Sequence, residues 1–215
     1  MSALPAGNIT ALVLAGGRGT RMGGVEKGLQ PFNGIPLARH ALNRLKNAAD
    51  FSLGGFALNA NNHLDTYGQW GVPVWTDVVD GQLGPLAGML TGLRHCPTSH
   101  LLTVPCDAPA FPVDLPARLA HALALPDADI AVACAPDEHG TMRRHAVFAL
   151  MPAALASDLE AYLQQGGRKV GQWLQRHRSV DVAFNGPQDA PSAFENINTL
   201  EQLRALESRG LPDQP

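Results

Sequence analysis

The sequence predicts an α/β fold: a Rossmann-like, doubly wound and mostly parallel sheet with helices on both faces, in a single domain. Three observations carry this. Short, continuously apolar runs read as strands buried on both faces. Amphipathic segments of helical period separate them. Most of the runs stop at Gly, Asn or Asp, and in open sheets of this class ligands sit at the carboxyl ends of the strands.

The elements follow in order. Ile9 to Ala15 (ITALVLA) is an apolar run closed by Gly16-Gly17, and a glycine-rich loop follows. Leu37, Ala41, Leu45 and Ala48 recur at helical spacing. Phe51 to Leu58 and Val72 to Thr76 read as strands ending at Asn59 and Asp77, and Leu86 to Leu93 as a helix opened by Pro85. Leu101 to Val104 is a strand stopping at Pro105-Cys106-Asp107, and Leu115 to Leu125 is helical. Asp129 to Ala135 and Ala146 to Leu150 read as strands. Ala153 to Leu163, Val170 to Arg176 and Leu200 to Leu206 read as helices, and the last nine residues as frayed. The expected division within the one domain is an N-terminal half, about 9–110, and a C-terminal half, about 111–208.

Composition narrows the classes. Of 215 residues 45% are apolar, enough for a large core, and 16% are charged, against roughly 25% in an average globular chain. The net charge of −3 excludes a basic nucleic-acid-binding surface over the whole molecule, though not a local anion pocket. Cys96, Cys106 and Cys134 form no CxxC spacing and cannot all pair, which points to a reducing compartment. No run approaches the roughly 18 apolar residues of a membrane span. The expectation is a soluble, cytoplasmic monomer.

Residues 14 to 28 hold six glycines, two arginines and a lysine directly after a buried strand. Glycines let backbone amides approach an anion, and Arg21 and Lys27 would neutralise its charge. A P-loop is excluded because Gly19 and Gly24 are followed by Val25 rather than Lys. The dinucleotide fingerprint fails at Met22, where its third glycine would stand.

Leu14-Ala15-Gly16-Gly17-x-Gly-x-Arg21-Met22-Gly-Gly-x-x-Lys27 resembles the signature of nucleotidyltransferases, and more closely that of the molybdenum cofactor guanylyltransferase family. Leu58-Asn59-Ala60-Asn61, Asp77, Gly84 to Met89, Pro105 to Pro109 and Phe194 to Thr199 follow in the family's order. The resemblance implies transfer of GMP from GTP to molybdopterin cofactor, with Mg2+ as cofactor and pyrophosphate as leaving group. It also implies a GTP site of Leu14, Ala15, Gly16, Gly17, Lys27, Asn59, Asp77, Gly84 and Asp107, with Asp107 on the metal. Asn196 and Asn198 match a late pair on the cofactor side. Catalytic roles fall to Arg21, Lys27 and Asp107. Asp77 is the candidate for reading guanine, because a carboxylate can accept from the base's N1–H and amino group. The chain departs from the pattern at Arg143-Arg144-His145-Ala146, where relatives tend to carry a His-Pro step, so pterin contacts there stay open; Arg168 and Lys169 are secondary candidates for the acceptor phosphate.

Local structural roles compete with several of these: Asp107 and Asp77 as turn or cap residues, Asn59 to Asn62 as a turn, Asn198 or Thr199 as a helix cap, and Cys106 as packing. Competing functions are a cytidylyl or sugar-phosphate nucleotidyltransferase and a non-catalytic GTP-binding cofactor carrier. Docking to cofactor-handling proteins or a recipient molybdoenzyme is compatible with either.

Overall fold

The computed structural model describes residues 4–5, 7–16, 26–48, 51–79, 81, 83–126, 128–190 and 192–209. Gly17 and Arg21, and with them most of the glycine-rich loop, lie outside the described residues, as do 210–215. In chain order the elements are β1 (Ile9–Leu14), β2 (Pro31–Phe32), β3 (Ile35–Pro36), α1 (Leu37–Lys46), β4 (Gly55–Asn59), α2 (Leu64–Gly68), β5 (Val74–Trp75), α3 (Pro85–His95), β6 (His100–Pro105), α4 (Leu115–Leu123), β7 (Ile130–Pro136), β8 (Met142–Pro152), α5 (Ala156–Gln164), α6 (Val170–Leu174), β9 (Ser179–Ala183) and α7 (Leu200–Arg209). Short 3-10 turns stand at Lys27–Leu29 and Ala153–Leu155.

Seven strands form one sheet in the order β5-β4-β1-β6-β8-β7-β9. β1 pairs in parallel with β4 and β6, β4 with β5, and β7 with β9, whereas β8 is antiparallel to both β6 and β7. The two-sided burial of β1 explains its continuous apolar run. Ile9, Ala11 and Val13 face one layer with Ala41, Leu42 and Leu45 of α1 and Leu119 of α4. Leu12 faces the other, with Met89 and Leu90 of α3, Leu159 of α5 and Trp173 of α6. Each fully buried Leu is worth about 1.5–3 kcal/mol, against about 0–1 for an exposed ion pair. These two layers, rather than surface pairs such as Arg178–Asp129, therefore hold the sheet together.

The expected elements are present with several corrections. The strand expected from Phe51 begins only at Gly55, because residues 52 and 54 are tied to the N-terminal segment: the Gly7 amide donates to Ser52 O and the Gly54 amide to Ile9 O. The strand expected over 72–76 shrinks to two residues beyond a left-handed turn at Gly71. The 146–150 strand extends to 142–152. The C-terminal helix runs to Arg209, so 207–209 are helical rather than frayed. Elements not expected are α2, the edge strand β9 and the β2–β3 hairpin. That hairpin turns at Asn33-Gly34, both at positive φ (48° and 77°), the backbone that an Asn-Gly hairpin turn requires.

A small separate core of Phe32, Leu37, Ile197 and Leu203 seats the C-terminal segment against the hairpin and the start of α1. Thr199 caps α7: its Oγ1 accepts from the Gln202 amide, while Gln202 Oε1 accepts from the amides of Thr199 and Asn198. The chain end is thereby returned to the segment that follows the glycine-rich loop.

Candidate active site

β1 lies between β4 and β6, so connections leave it in both directions and a crevice opens beyond its carboxyl end. Leu14 pairs with Asn59 on one side and Pro105 on the other, which brings the strand ends carrying Gly16, Asn59 and Asp107 to one rim. The Ala15 amide donates to Asn59 O and the Cys106 amide to Leu14 O. Ala15 O and the Gly16 amide make no hydrogen bond among the described residues.

On the β6 side, Lys27 Nζ stands 2.6 Å from Asp107 Oδ2 and donates to Asn198 Oδ1 at 2.9 Å. These partners are 80 and 171 positions away in the chain. Both members of the ion pair are largely shielded, with side chains 16% and 19% exposed, so solvent weakens their attraction less than it would at an open surface. The Ile197 amide donates to Asp107 O at 2.7 Å, fixing the C-terminal segment to the same residue by its backbone. Asp107 Oδ1 has no partner among the described residues. Beside Lys27, burial raises the Glu26 carboxyl above its usual range. Cys106 is buried, and burial, then the neighbouring Asp107, push its thiol far up; it stays protonated and serves packing rather than nucleophilic chemistry.

On the β4 side, Asp77 is held by two asparagines. Asn59 Nδ2 donates to Asp77 Oδ1 and Asn61 Nδ2 to Asp77 Oδ2, each at 2.8 Å, while the Asp77 amide donates to Asn61 Oδ1 at 2.8 Å. Asn59 is buried, and its Nδ2 also donates to Trp75 O at 3.0 Å. Gly88 of α3 makes room for it, since a Cβ there would stand 2.3 Å from Asn59 Oδ1 and 2.8 Å from Leu14 Cδ2. Gly84 precedes α3 at φ 60°, ψ −146°, a backbone that residues with a Cβ avoid, and Pro85 starts the helix behind it. Gly16 borders the network, a Cβ on it falling 3.1 Å from Asn61 Nδ2.

The structure thus gathers Lys27, Asp107 and Asn198 into one cluster and Asn59 and Asp77 into another, on either side of the β1 end. Asn196 is exposed, and its carbonyl accepts from Asn198 Nδ2 at 3.4 Å. The residues of the divergent stretch are occupied elsewhere. Arg143 pairs with Asp137, whose carboxyl its guanidinium holds below the usual range, and Arg144 bonds Asp181 and Ser179. His145 stacks on Phe194 (4.9 Å between centroids), and burial lowers its pKa. Arg168 Nη1 donates to the carbonyls of Leu163 and Gly167 at the end of α5, and the Lys169 carbonyl accepts from the Tyr162 hydroxyl. Two contributors were missed in the sequence: Asn61 as a partner of Asp77 and Gly88 as the space for Asn59. The first had a faint signal, a second asparagine two positions beyond the one that closes the apolar run.

The model of the MobA-like NTP transferase domain matches residues 11–180. A molybdenum cofactor guanylyltransferase of Ralstonia nicotianae is 54% identical over 210 residues, covering 96% of this chain and 99% of the relative. The chain belongs to the molybdenum cofactor guanylyltransferase family. Another family member, from Acidovorax ebreus, is 51% identical over 94% of this chain and 97% of its own length. The fold is shared with molybdopterin-guanine dinucleotide biosynthesis protein A from Archaeoglobus fulgidus (TM-score 0.70, 21% identity, 93% and 97% of the two chains). It is shared also with a nucleotidyl transferase from Methanothermobacter thermautotroptrophicus (TM-score 0.68, 20% identity, 94% and 96%). These two solved structures and this chain thus share one fold, and the strand-end clusters stand where an open α/β sheet binds ligands. Among the described residues no helix is long and apolar enough to cross a membrane.

Proposed function

We propose that this protein transfers GMP from GTP to the phosphate of molybdopterin cofactor, forming the guanine dinucleotide and releasing pyrophosphate. The observation that carries the site assignment is the 2.6 Å contact between Lys27 and Asp107, which unites the lysine after the glycine-rich loop with a strand-end carboxylate on one side of the crevice. The reaction is an in-line displacement at the α-phosphorus: an acceptor phosphate oxygen forms the new P–O bond as the bond to the β-phosphate breaks. The acceptor is already anionic, so the protein must position anions and offset charge rather than supply a nucleophile.

Each cluster has a part in this reading. Lys27 turns from Asp107 to the phosphates and, with Arg21, offsets charge on the departing pyrophosphate. Asn198 gives the ammonium a neutral partner that it can keep during the exchange. Backbone groups at Ala15 and Gly16, with Leu14 and Gly17 beside them, line the nucleotide. Asp77, steadied by Asn59, accepts from guanine N1–H and the 2-amino group, and Gly84 brings its backbone near the base. Asn196 and Asn198 face the acceptor. The protein acts in the cytoplasm as a monomer, in keeping with its free cysteines.

Mg2+ fits the residues present. It binds through one or two carboxylates, with phosphate oxygens and water completing the shell. Asp107 Oδ1 is without a partner among the described residues, so that one carboxylate oxygen is available to such an ion. When bound, the ion would neutralise phosphate charge at the reacting centre. The test is a product assay with GTP, MgCl2 and molybdopterin, read as guanine dinucleotide and pyrophosphate in equal amounts. GTP binding without either product would overturn the reading.

A further inference from the structure

Asn61 is exposed, yet among the described residues its side chain is spent on a single one: it donates to Asp77 Oδ2 and accepts from the Asp77 amide, both at 2.8 Å. That pair of bonds closes a ring that ties the Asp77 side chain to its own backbone through a second strand end. Asn59 holds the other carboxylate oxygen but is itself buried, wedged against Gly88 and bonded to Trp75 O, so it also has a packing role. With one donor on each oxygen the carboxylate plane cannot turn freely. Each oxygen can accept more than one bond, so the pair retains capacity for two further parallel donors. Both clamps are neutral amides. Neither brings a positive charge to the carboxylate, and a hydrogen bond to a charged acceptor is stronger than one to a neutral acceptor.

We infer that Asn61 is a positioning residue for nucleotide choice: it fixes the plane of the Asp77 carboxylate so that the free lone pairs meet the parallel N1–H and 2-amino N–H of guanine. The inference rests on the proposed role of Asp77 as base reader. Hypoxanthine offers only the first of those donors. Adenine offers neither at that edge, placing an acceptor against the carboxylate.

The test is kcat/KM for GTP, ITP and ATP, with molybdopterin and Mg2+, for wild type, Asn61→Ala, Asp77→Ala and the double variant, with Tm for each. Asn61→Ala is expected to lower the GTP-to-ITP ratio about fivefold, the scale of one well-placed hydrogen bond. In the Asp77→Ala background it is expected to lower that ratio no further. Equal losses on GTP and ITP would mark Asn61 as merely structural and overturn the inference, as would an unchanged ratio. If Asp77→Ala itself leaves nucleotide preference intact, the base-reading role fails and this inference with it. If it erodes preference while Asn61→Ala does not, only the clamp fails. Should Asn61→Ala not fold, Asn61→Asp reads the same ratio, because it keeps an acceptor for the Asp77 amide and replaces the donor with a repelling carboxylate.

Discussion

The two sides of the crevice each present an aspartate at a strand end, yet they hold it by opposite means. Asp107 is met by a cation, Lys27, and by a segment returning from the far end of the chain. Among the described residues, the Asp77 side chain is met by neutral amides from the β4 end, 16 and 18 positions away. The difference fits what each is asked to do in the proposed reaction. Where phosphates and a dication gather, charges must be exchanged, and an ion pair stores both partners near the place of use. Where a neutral base is read, the acceptor must be held still, and amide donors achieve that without bringing an opposing charge.

The largest expected effect breaks the cationic side. Asp107→Ala, or the closer Asp107→Asn, is expected to lower turnover about a hundredfold or more while the melting temperature stays near wild type, since preorganised charge is the main source of rate in such sites. Pyrophosphate release at saturating Mg2+ measures it, and normal turnover would remove Asp107 from metal binding. On the neutral side, Asp77→Ala is expected to spare most turnover with saturating GTP but erode the preference over ATP and CTP by about tenfold, as unpaired base donors cost about 1–3 kcal/mol. Competition kinetics among the three nucleotides reads that outcome.

A smaller change sharpens the contrast from the C-terminal side. Asn198→Ala removes one of the two partners that Lys27 has among the described residues and is expected to raise KM for GTP about threefold, with nucleotide preference untouched. A shift in preference instead would mean that the two sides are coupled. The smallest effect lies away from both. Burial against Phe194 and Phe148 lowers the pKa of His145 below its ordinary 6.5. Below about pH 6.5 the unfolded chain therefore binds the proton more readily, and stability falls as pH drops. Melting temperatures of wild type and His145→Gln at pH 7.5 and 5.5 should show a narrower gap in the variant. Some slope persists, since burial also lowers the pKa of His100.

Sequence pattern reached most of the fold and about half of the site. Continuous apolar runs are enough to announce strands covered on both faces, and β1, β6 and β7 appear nearly as read. The edges are harder. β9 (SVDVA) is half-buried and alternates, so its pattern is short and weak, and β5 shrinks to two residues. The reversed direction of β8 has no local mark, because an apolar strand reads the same in either sense.

What the sequence determined by itself is which residues stand at the strand ends: Gly16, Asn59, Asp77 and Asp107 follow directly from where the apolar runs stop, a property of neighbouring residues. What only the tertiary structure decided is who meets whom there. Lys27 finds Asp107 because β1 lies beside β6, and Asn198 joins them because Ile197 and Leu203 are buried with Phe32 and Leu37, returning the chain end to the hairpin. Side-chain periodicity records burial within a few residues, whereas these contacts depend on sheet order and on a closing segment 171 positions away.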